Sequence, residues 1–306
     1  GAGGKNNDGG FRGGGAYLIY GKRAGWGSSH TLNATFVNGG NGFLIDNPVT
    51  WNAWANAWIY NHARRVRSGD LNGDGLADMI MMNYAGRSGR GNPVGGAIVL
   101  FGTRARLPAS QNLTATLVNG VNGFITLGWW SSGHYANYLR VGNVNGDAYD
   151  DLVIAVPNWL PALGMQAYVN VLYGKASGWP SFTYVMGSWD TDGFGEEDLN
   201  GTNGFRLRQT HYTQFTNSVA AGDVNGDGYD DVIHGIPGPG GETTGGKVQI
   251  AYGREAGAWN LTPSPNDGVP EADADHGGAC APAYAGCTGP WGNPMDNGDW
   301  VNAYSN

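Results

Sequence analysis

The sequence predicts an all-β protein built from repeated four-stranded units, and three observations support this prediction. Short apolar runs alternate with clusters of Gly, Asn and Asp, and long stretches of helix-forming residues are absent. Glycine accounts for 55 of the 306 residues, yet no G-X-Y period indicates collagen. Three short motifs recur along the chain, so the sequence consists of several copies of one structural unit.

The first recurring motif is Asn-Gly-x-Asn-Gly-Phe, which opens a strand. It begins at Asn38, Asn119 and Asn200, a constant spacing of 81 residues (119 − 38 and 200 − 119). The second motif is an apolar strand ending in an aromatic residue and Gly, at residues 16–21, 97–102, 168–174 and 248–253. The third is an Asp- and Asn-rich loop at residues 70–75, 143–148 and 223–228. The motifs keep one order along the chain and therefore belong to a single unit.

Each unit contains four predicted strands. A short strand such as 217–222 leads into the loop, and a second apolar strand such as 231–236 follows it directly. The aromatic-Gly strand and the Asn-Gly-Phe strand complete the unit, which spans about 70–80 residues. A four-stranded sheet of this size cannot bury both faces alone, so the copies must pack side by side. Four-stranded sheets repeated in this way are the blades of a β-propeller.

The best copy of the unit resembles a known repeat. Residues 215–237 resemble the FG-GAP repeat of integrin α-subunit propellers and of their microbial and algal relatives. The copy at 139–157 fits well, whereas the copy near 66–83 is looser and lacks the closing Pro. The resemblance covers roughly residues 13–255. It implies a seven-bladed propeller with calcium in its loops and with adhesion or ligand binding on one face.

About four blades are represented in residues 1–259. Residues 1–15 align with the Gly-rich loop in the middle of a blade, so the first blade has only its last two strands. The last blade has three predicted strands and no Asn-Gly-Phe strand. This makes about 13 strands, whereas seven blades need about 28. Three alternatives remain: a piece of a larger propeller, a small four-bladed propeller, or a propeller completed by another chain, such as a second copy. The first and third are favoured, because open blade edges invite pairing.

The Asp- and Asn-rich loops have the oxygen-ligand spacing of calcium sites. Side-chain oxygens fall at relative positions 1, 3, 5 and 9, a backbone carbonyl falls at position 7, and a turn Gly falls at position 6. The predicted calcium ligands are Asp70, Asn72, Asp74, Leu76 and Asp78 in the first loop, Asn143, Asn145, Asp147, Tyr149 and Asp151 in the second, and Asp223, Asn225, Asp227, Tyr229 and Asp231 in the third. An EF-hand would have Glu at position 12, and these loops instead run into a strand.

The alternative is that these loops are ordinary Asn-Gly and Asp-Gly hairpin turns. That interpretation does not account for a carboxylate at position 9 in all three copies. The second loop is expected to bind calcium most weakly, because Asn143 replaces an Asp and Ala148 replaces the turn Gly. Left-handed geometry at a non-Gly residue costs about 1–2 kcal/mol. We expect the ions to be structural and to hold each loop between two strands of a blade.

Several features favour an extracellular or cell-surface location. Cys280 and Cys287 lie close enough in sequence to form a disulfide, which would stabilise a local loop by about 2–3 kcal/mol. N-glycosylation sequons begin at Asn33, Asn112, Asn200 and Asn260. The first residue is Gly1 rather than Met, and we expect that processing removed a preceding segment. Residues 260–306 form a Pro-, Gly- and Asp-rich C-terminal extension, which we expect to dock on a neighbouring subunit or on its own propeller.

The composition excludes several classes of protein. Hydrophobic residues make up 41% of the chain, too much for a disordered protein. The net charge of −8 makes nucleic acid an unfavourable partner. No apolar run approaches the roughly 18 residues of a membrane-spanning helix. No catalytic motif is present, and the six histidines have no ligand spacing, so we expect no enzymatic activity.

Tryptophan-rich segments follow two of the Asn-Gly-Phe strands. Trp51, Trp54 and Trp58 have the spacing of one face of a short helix, and Trp129 and Trp130 lie at the equivalent point of the next repeat. These residues could pack over the edge of the propeller, or contact a glycan or a protein.

Three hypotheses for function follow. The first is a calcium-stabilised extracellular binding or structural module for adhesion or for assembly of a surface structure, with an unidentified protein or glycan ligand. The second is a carbohydrate-binding lectin that uses the Trp-rich loops. The third is an accessory part of a polysaccharide-active enzyme.

Overall fold

The described part of the chain contains strands and no helix. The computed structural model describes residues 15–23, 25–46, 50–52, 57–88, 93–114, 116–127, 138–156, 168–184, 199, 201–208, 218–236, 247–259, 262–263, 270–273 and 300–304. These residues form 19 strands. The predicted all-β class is confirmed.

The strands form four sheets, one for each predicted blade. Blade 1 contains β1 (Gly15–Ile19), β2 (Gly42–Asp46) and β7 (Ser110–Asn112). Blade 2 contains β3 (Thr50–Asn52), β4 (Ala57–Gly69), β5 (Asp78–Ser88), β6 (Pro93–Leu100), β8 (Gly123–Leu127) and β12 (Phe182–Tyr184). Blade 3 contains β9 (Tyr138–Gly142), β10 (Asp151–Val156), β11 (Tyr168–Leu172), β13 (Gly204–Arg208), β17 (Thr262–Pro263) and β18 (Pro270–Asp273). Blade 4 contains β14 (Ser218–Gly222), β15 (Asp231–Ile236), β16 (Lys247–Ala251) and β19 (Trp300–Tyr304).

Blades 2, 3 and 4 each contain four consecutive antiparallel strands, as the repeat predicts. These are β4-β5-β6-β8, β9-β10-β11-β13 and β14-β15-β16-β19. The prediction that the last blade has only three strands is wrong, because β19 from the C-terminal extension pairs with β16. The Asn-Gly-Phe motif does not mark β19, but its register is the same: Val301 lies opposite Ile250 as Phe205 lies opposite Val171.

Each of the first three blades gains a parallel edge strand from a later part of the chain, which for β7 and β12 is the next repeat and for β18 is the C-terminal extension. β7 pairs with β2, β12 pairs with β8, and β18 pairs with β13. All three pairs begin at the same position of the Asn-Gly-Phe strand, Leu44 with Ser110, Ile125 with Phe182 and Arg206 with Glu271. These short strands have no apolar motif, so sequence reasoning missed them. They cover the outer edge of one blade and tie it to the next.

The described residues form three hydrophobic core clusters, one between each pair of successive blades. Alternate residues of one strand point to opposite neighbours. In β5, Met81 packs with the blade 1 residues Phe43 and Ile45, whereas Ile80 packs with the blade 3 residue Leu152. The third cluster joins blade 3 to blade 4. Each interface is therefore formed by the apolar faces of two sheets.

The segment around Trp51 is not helical where it is described, so the predicted short helix is wrong. Trp51 in β3 lies directly opposite Trp58 at the start of β4 in an antiparallel pair. Residues that lie opposite each other in two antiparallel strands can have the same sequence spacing as residues on one helix face, and here pairing with the long strand β4 satisfies the backbone. Trp54, Trp129 and Trp130 lie outside the described residues.

Candidate metal sites

Three equivalent loops join the first two strands of blades 2, 3 and 4. They are loop 1 (70–78), loop 2 (143–151) and loop 3 (223–231), numbered by positions 1 to 9. The Gly at position 4 has a positive φ in every loop: 69° at Gly73, 70° at Gly146 and 79° at Gly226. The sequence identified the turn Gly at position 6 but not the Gly at position 4. Gly is needed at position 4 as well, because other residues adopt a positive φ only at a steric cost.

The side chains at positions 1, 3 and 5 turn into the loop. In loop 3 the Asp223 carboxylate accepts hydrogen bonds from the Asp227 N–H at 3.2 Å and from the Gly228 N–H at 3.0 Å. The Asn225 amide donates to the Asp227 carboxylate at 2.8 Å. The Gly228 N–H bond is the main cause that lowers the pKa of Asp223. Loop 1 has the same bonds, so the side chains at positions 1, 3 and 5 lie close together in both loops.

The carboxylate at position 9 has a role that the sequence did not indicate. Asp78, Asp151 and Asp231 are buried, and each accepts two kinds of backbone N–H bond. One comes from position 2 of the same loop, and the other comes from the Gly that ends the third strand of the blade. The donors are Leu71 (2.7 Å) and Gly102 (2.8 Å), Val144 (2.8 Å) and Gly174 (2.9 Å), and Val224 (2.8 Å) and Gly253 (2.9 Å).

The hydrogen bond from this Gly to the carboxylate at position 9 explains why the aromatic-Gly motif recurs. The motif was the one feature of the sequence that could have indicated this bond. A Cβ atom at Gly174 would lie 2.5 Å from the Tyr149 Cβ and 2.9 Å from the Leu71 carbonyl oxygen. Only Gly lets the end of the third strand approach the loop this closely. Position 9 therefore anchors the loop to its blade, and its role as a cation ligand stays a prediction.

Burial shifts the protonation of these anchoring carboxylates. It raises the pKa of Asp78 to about 6 and that of Asp151 to about 7, and it also raises the pKa of Asp231. Neighbouring loop carboxylates raise the pKa further, while the backbone N–H bonds lower it. A bound cation would favour the ionised form at all three positions.

The comparison with protein families identifies one of these blades. Residues 215–250 match the model of the FG-GAP repeat. The chain contains an FG-GAP repeat. The matched stretch comprises β14, loop 3, β15 and most of β16, and it confirms the resemblance inferred from residues 215–237. No curated protein matches the chain by sequence. The FG-GAP repeat and the four-stranded blades together confirm the propeller-type fold.

Loop 2 fits a cation through an unsatisfied oxygen. The Asn143 amide nitrogen donates to the Asp147 carbonyl, whereas Asn143 Oδ1 is buried and has no hydrogen-bond partner among the described residues. A calcium ion accepts such an amide oxygen as a ligand. In the described part of the chain, no three His, Cys, Asp or Glu side chains are grouped to hold a metal on their own. The loops would therefore need their Asn and carbonyl oxygens as ligands, and the predicted set includes them.

Successive loops are hydrogen-bonded to each other through position 8. Asp150 of loop 2 accepts the Asp70 N–H at 2.8 Å and donates its own N–H to the Asp70 carbonyl at 2.9 Å. Asp230 of loop 3 makes the same two bonds to Asn143, both at 2.9 Å. Position 8 of loop 1 is Ala77, which has no carboxylate to accept such a bond. The connected series therefore starts at loop 1 and continues through loop 2 to loop 3.

The remaining predicted sites are placed in part. Asn33 is exposed, and its Oδ1 accepts the N–H groups of Thr35 and Phe36. Asn112 is exposed at the end of β7. Asn200, Asn260, Cys280 and Cys287 lie outside the described residues, so glycosylation and the disulfide stay predictions. Among the described residues, none belongs to a helix that could cross a bilayer.

Proposed function

We propose that the chain is a calcium-stabilised extracellular module that serves adhesion or the assembly of a surface structure and has no catalytic activity of its own. The observation that carries this proposal is the threefold occurrence of one loop at one place in the blade. In two of these loops the carboxylate at position 1 accepts the backbone N–H of position 5, and the Asn at position 3 donates to the carboxylate at position 5. Crowded carboxylates are unfavourable without a counter-charge.

Calcium supplies that counter-charge and fixes the loop backbone when it binds. Because loop 2 is bonded to loop 1 and loop 3 is bonded to loop 2, ordering one loop also orders its neighbour. A site on an extracellular protein needs only an affinity of about 10⁻⁴–10⁻³ M, which a partly amide and carbonyl ligand set can provide. The sequons and the two closely spaced cysteines support the extracellular location.

The test is thermal unfolding of the whole chain in calcium, in magnesium and in excess EDTA. We expect saturating calcium to raise Tm by about 5–10 °C over EDTA, because each filled site adds about 2–3 kcal/mol at a hundredfold excess over Kd. Magnesium should have little effect, since it favours a smaller octahedral site. Equal Tm values in calcium and EDTA would remove the proposal.

Two variants locate the effect. Asp227→Ala should lose the calcium-dependent rise that belongs to loop 3, whereas Asp46→Asn, an exposed carboxylate outside the loops, should keep the full rise. In a calcium titration loop 2 should fill last, and Asn143→Asp should strengthen it. If loop 2 fills first, the ranking of the sites is wrong.

Carbohydrate binding is the second candidate, and the register of β3 supports it. Trp51 and Trp58 are direct partners across two antiparallel strands. Paired aromatic residues are a common platform for sugar rings. Glycan-array binding that is lost in both Trp51→Ala and Trp58→Ala would make a lectin the leading function.

A further inference from the structure

Two interfaces between blades are closed by a Trp that follows the aromatic-Gly strand. Trp179 of blade 3 stacks on Phe124 of blade 2, with ring centroids 4.3 Å apart, and Trp259 of blade 4 packs on Phe205 of blade 3 at 4.2 Å. Both Trp side chains are nearly inaccessible, with 7% and 5% of their surface exposed. Each Trp therefore follows a strand of one blade and packs against the blade before it.

A basic residue accompanies each of these Trp residues. Lys175 Nζ lies 5.1 Å from the centroid of the Trp179 ring, and the Arg254 guanidinium lies 5.0 Å from that of Trp259. Their backbone N–H groups donate to the carbonyls of Leu71 and Val144 in the preceding loop, both at 3.0 Å. We call the basic residue and its Trp the Trp clasp.

Blade 1 carries the same Trp clasp, and none of the other blades that the structure describes covers it. Lys22 follows Gly21 as Lys175 follows Gly174, and Lys22 Nζ lies 4.4 Å from the centroid of the Trp26 ring. Trp26 remains 40% exposed, and its ring contacts are with His30 and Phe36 of its own repeat. The clasp is thus preformed, and its apolar surface is open.

Blade 4 has the matching open face. Val224, at position 2 of loop 3, is 51% exposed, whereas Leu71 and Val144 at that position of loops 1 and 2 are completely buried. Val248 is 38% exposed, whereas its equivalents Ala97 and Val169 are completely buried.

The backbone of blade 4 is equally uncovered. A Cβ atom at Gly146 of loop 2 would collide with the ring of Tyr229, whereas one at Gly226 of loop 3 would have no atom within 4 Å. Ile233 and Ile250 continue the apolar surface between Val224 and Val248, and both are partly exposed. The position equivalent to Phe124 and Phe205 is held by Val301 in β19.

We propose that the chain binds a second copy of itself head to tail, with the Lys22–Trp26 clasp of one copy on the open face of blade 4 of the next. The occupant follows from the two internal interfaces, where the same clasp meets the same apolar face. A head-to-tail contact of this kind gives a ring or an open filament, depending on whether the rotation closes. The proposal deepens the assembly role given above and does not depend on calcium.

The test is a complementation experiment by analytical ultracentrifugation with the whole chain at constant calcium. Trp26→Ala removes the clasp and leaves the blade 4 face intact, and Val224→Asp with Val248→Asp does the reverse. We expect the unaltered chain to associate with rising concentration and each variant alone to associate more than about tenfold more weakly. An equimolar mixture of the two variants should form a one-to-one dimer, because one intact clasp and one intact face remain.

Controls separate folding and calcium effects from docking. All the substituted side chains are partly exposed, so the variants should retain the circular dichroism and the Tm of the unaltered chain. Val121→Asp, at a residue that is 78% exposed and belongs to neither surface, should associate normally. A chain that stays monomeric at every concentration overturns the proposal. This includes the case in which the clasp and the blade 4 face contact each other within one molecule. Association that both variants leave unchanged also overturns the proposal. A monomer whose Tm still rises with calcium leaves the proposed function intact.

Discussion

Loop 2 and loop 3 differ in sequence at two of their nine positions, yet they lie in different surroundings. Loop 2 is covered by Tyr229 and Asp230 of the next blade, whereas the described residues place no equivalent pair on loop 3. Burial raises the pKa of Asp151 to about 7 in the covered loop, and Val224 is half exposed in the open one. A repeat therefore acquires its energetics from its neighbours as much as from its own residues.

The largest expected difference concerns the buried anchor at position 9. Asp151→Ala should lower the free energy of unfolding by about 3–5 kcal/mol, because it leaves the buried N–H groups of Val144 and Gly174 without an acceptor. Asp231→Ala should cost about 1–2 kcal/mol less, since the loop around Val224 is open to water. Urea unfolding of both variants measures the difference. Equal losses would show that loop 3 is as enclosed as loop 2.

A matched pair of Gly substitutions isolates the effect of the covering blade. Gly146→Ala and Gly226→Ala should both lose about 1–2 kcal/mol, because both backbones have a positive φ. Gly146→Ala should lose about 1–3 kcal/mol more, because its methyl group would displace the ring of Tyr229. Thermal denaturation provides the comparison, and Tyr229→Ala in the Gly146→Ala background should recover the extra loss. Without that recovery, steric overlap is not the cause.

The bond between successive loops should have a smaller effect. Asp230→Ala removes the acceptor for the Asn143 N–H and should lower the free energy of unfolding by about 1–2 kcal/mol. The control is Ala77→Asp at position 8 of loop 1, where no loop precedes among the described residues, and it should change stability by less than about 0.5 kcal/mol. Chemical denaturation of the two variants decides. A stabilising Ala77→Asp would indicate an acceptor surface before blade 2.

A pH dependence that calcium should cancel is also expected. The folded-state pKa values of Asp78 and Asp151, about 6 and about 7, lie above the ordinary value of 3.8. The calcium-free folded chain therefore binds more protons than the unfolded chain, so stability is fully present below 3.8 and is lost as the pH rises through 6 to 7. In EDTA, Tm should fall between about pH 5 and about pH 8, and saturating calcium should flatten the profile. A Tm that rises with pH in EDTA would contradict these shifts.

The sequence was sufficient to predict features that depend on local pattern. The Asn-Gly-Phe motif, the aromatic-Gly strand and the Asp- and Asn-rich loop identified the four-stranded blade, because apolar alternation and turn residues act within a few positions. The loops were correctly placed between the first two strands of a blade. The spacing of the Asp and Asn residues was also sufficient to predict which residues belong to these loops.

Features that depend on distant pairing were not predictable. The edge strands β7, β12 and β18 are only three or four residues long and share no sequence motif, and only the outer edge of the preceding blade selects them. Likewise, β19 has its place because β16 offers a free edge. The i, i+3, i+7 spacing of Trp51, Trp54 and Trp58 suggested a helix because period alone ignores strand pairing. The coupling of Asp150 to Asp70 joins residues in different blades, and a single sequence has no signal for it.

The parallel edge strands have a consequence for how the number of blades can change. Since the strands that cover blades 1 and 2 belong to the next repeat, a gene duplication that copied one complete sheet would leave a blade edge without its covering strand. A deletion or duplication of one whole 81-residue period instead exchanges β2 for β8 and β7 for β12 together, and every pair reforms in its old register. The unit that can be duplicated or deleted is therefore offset in sequence from the four-stranded blade. A change by one such unit keeps the existing strand pairs, so the number of blades can change without new strand pairing.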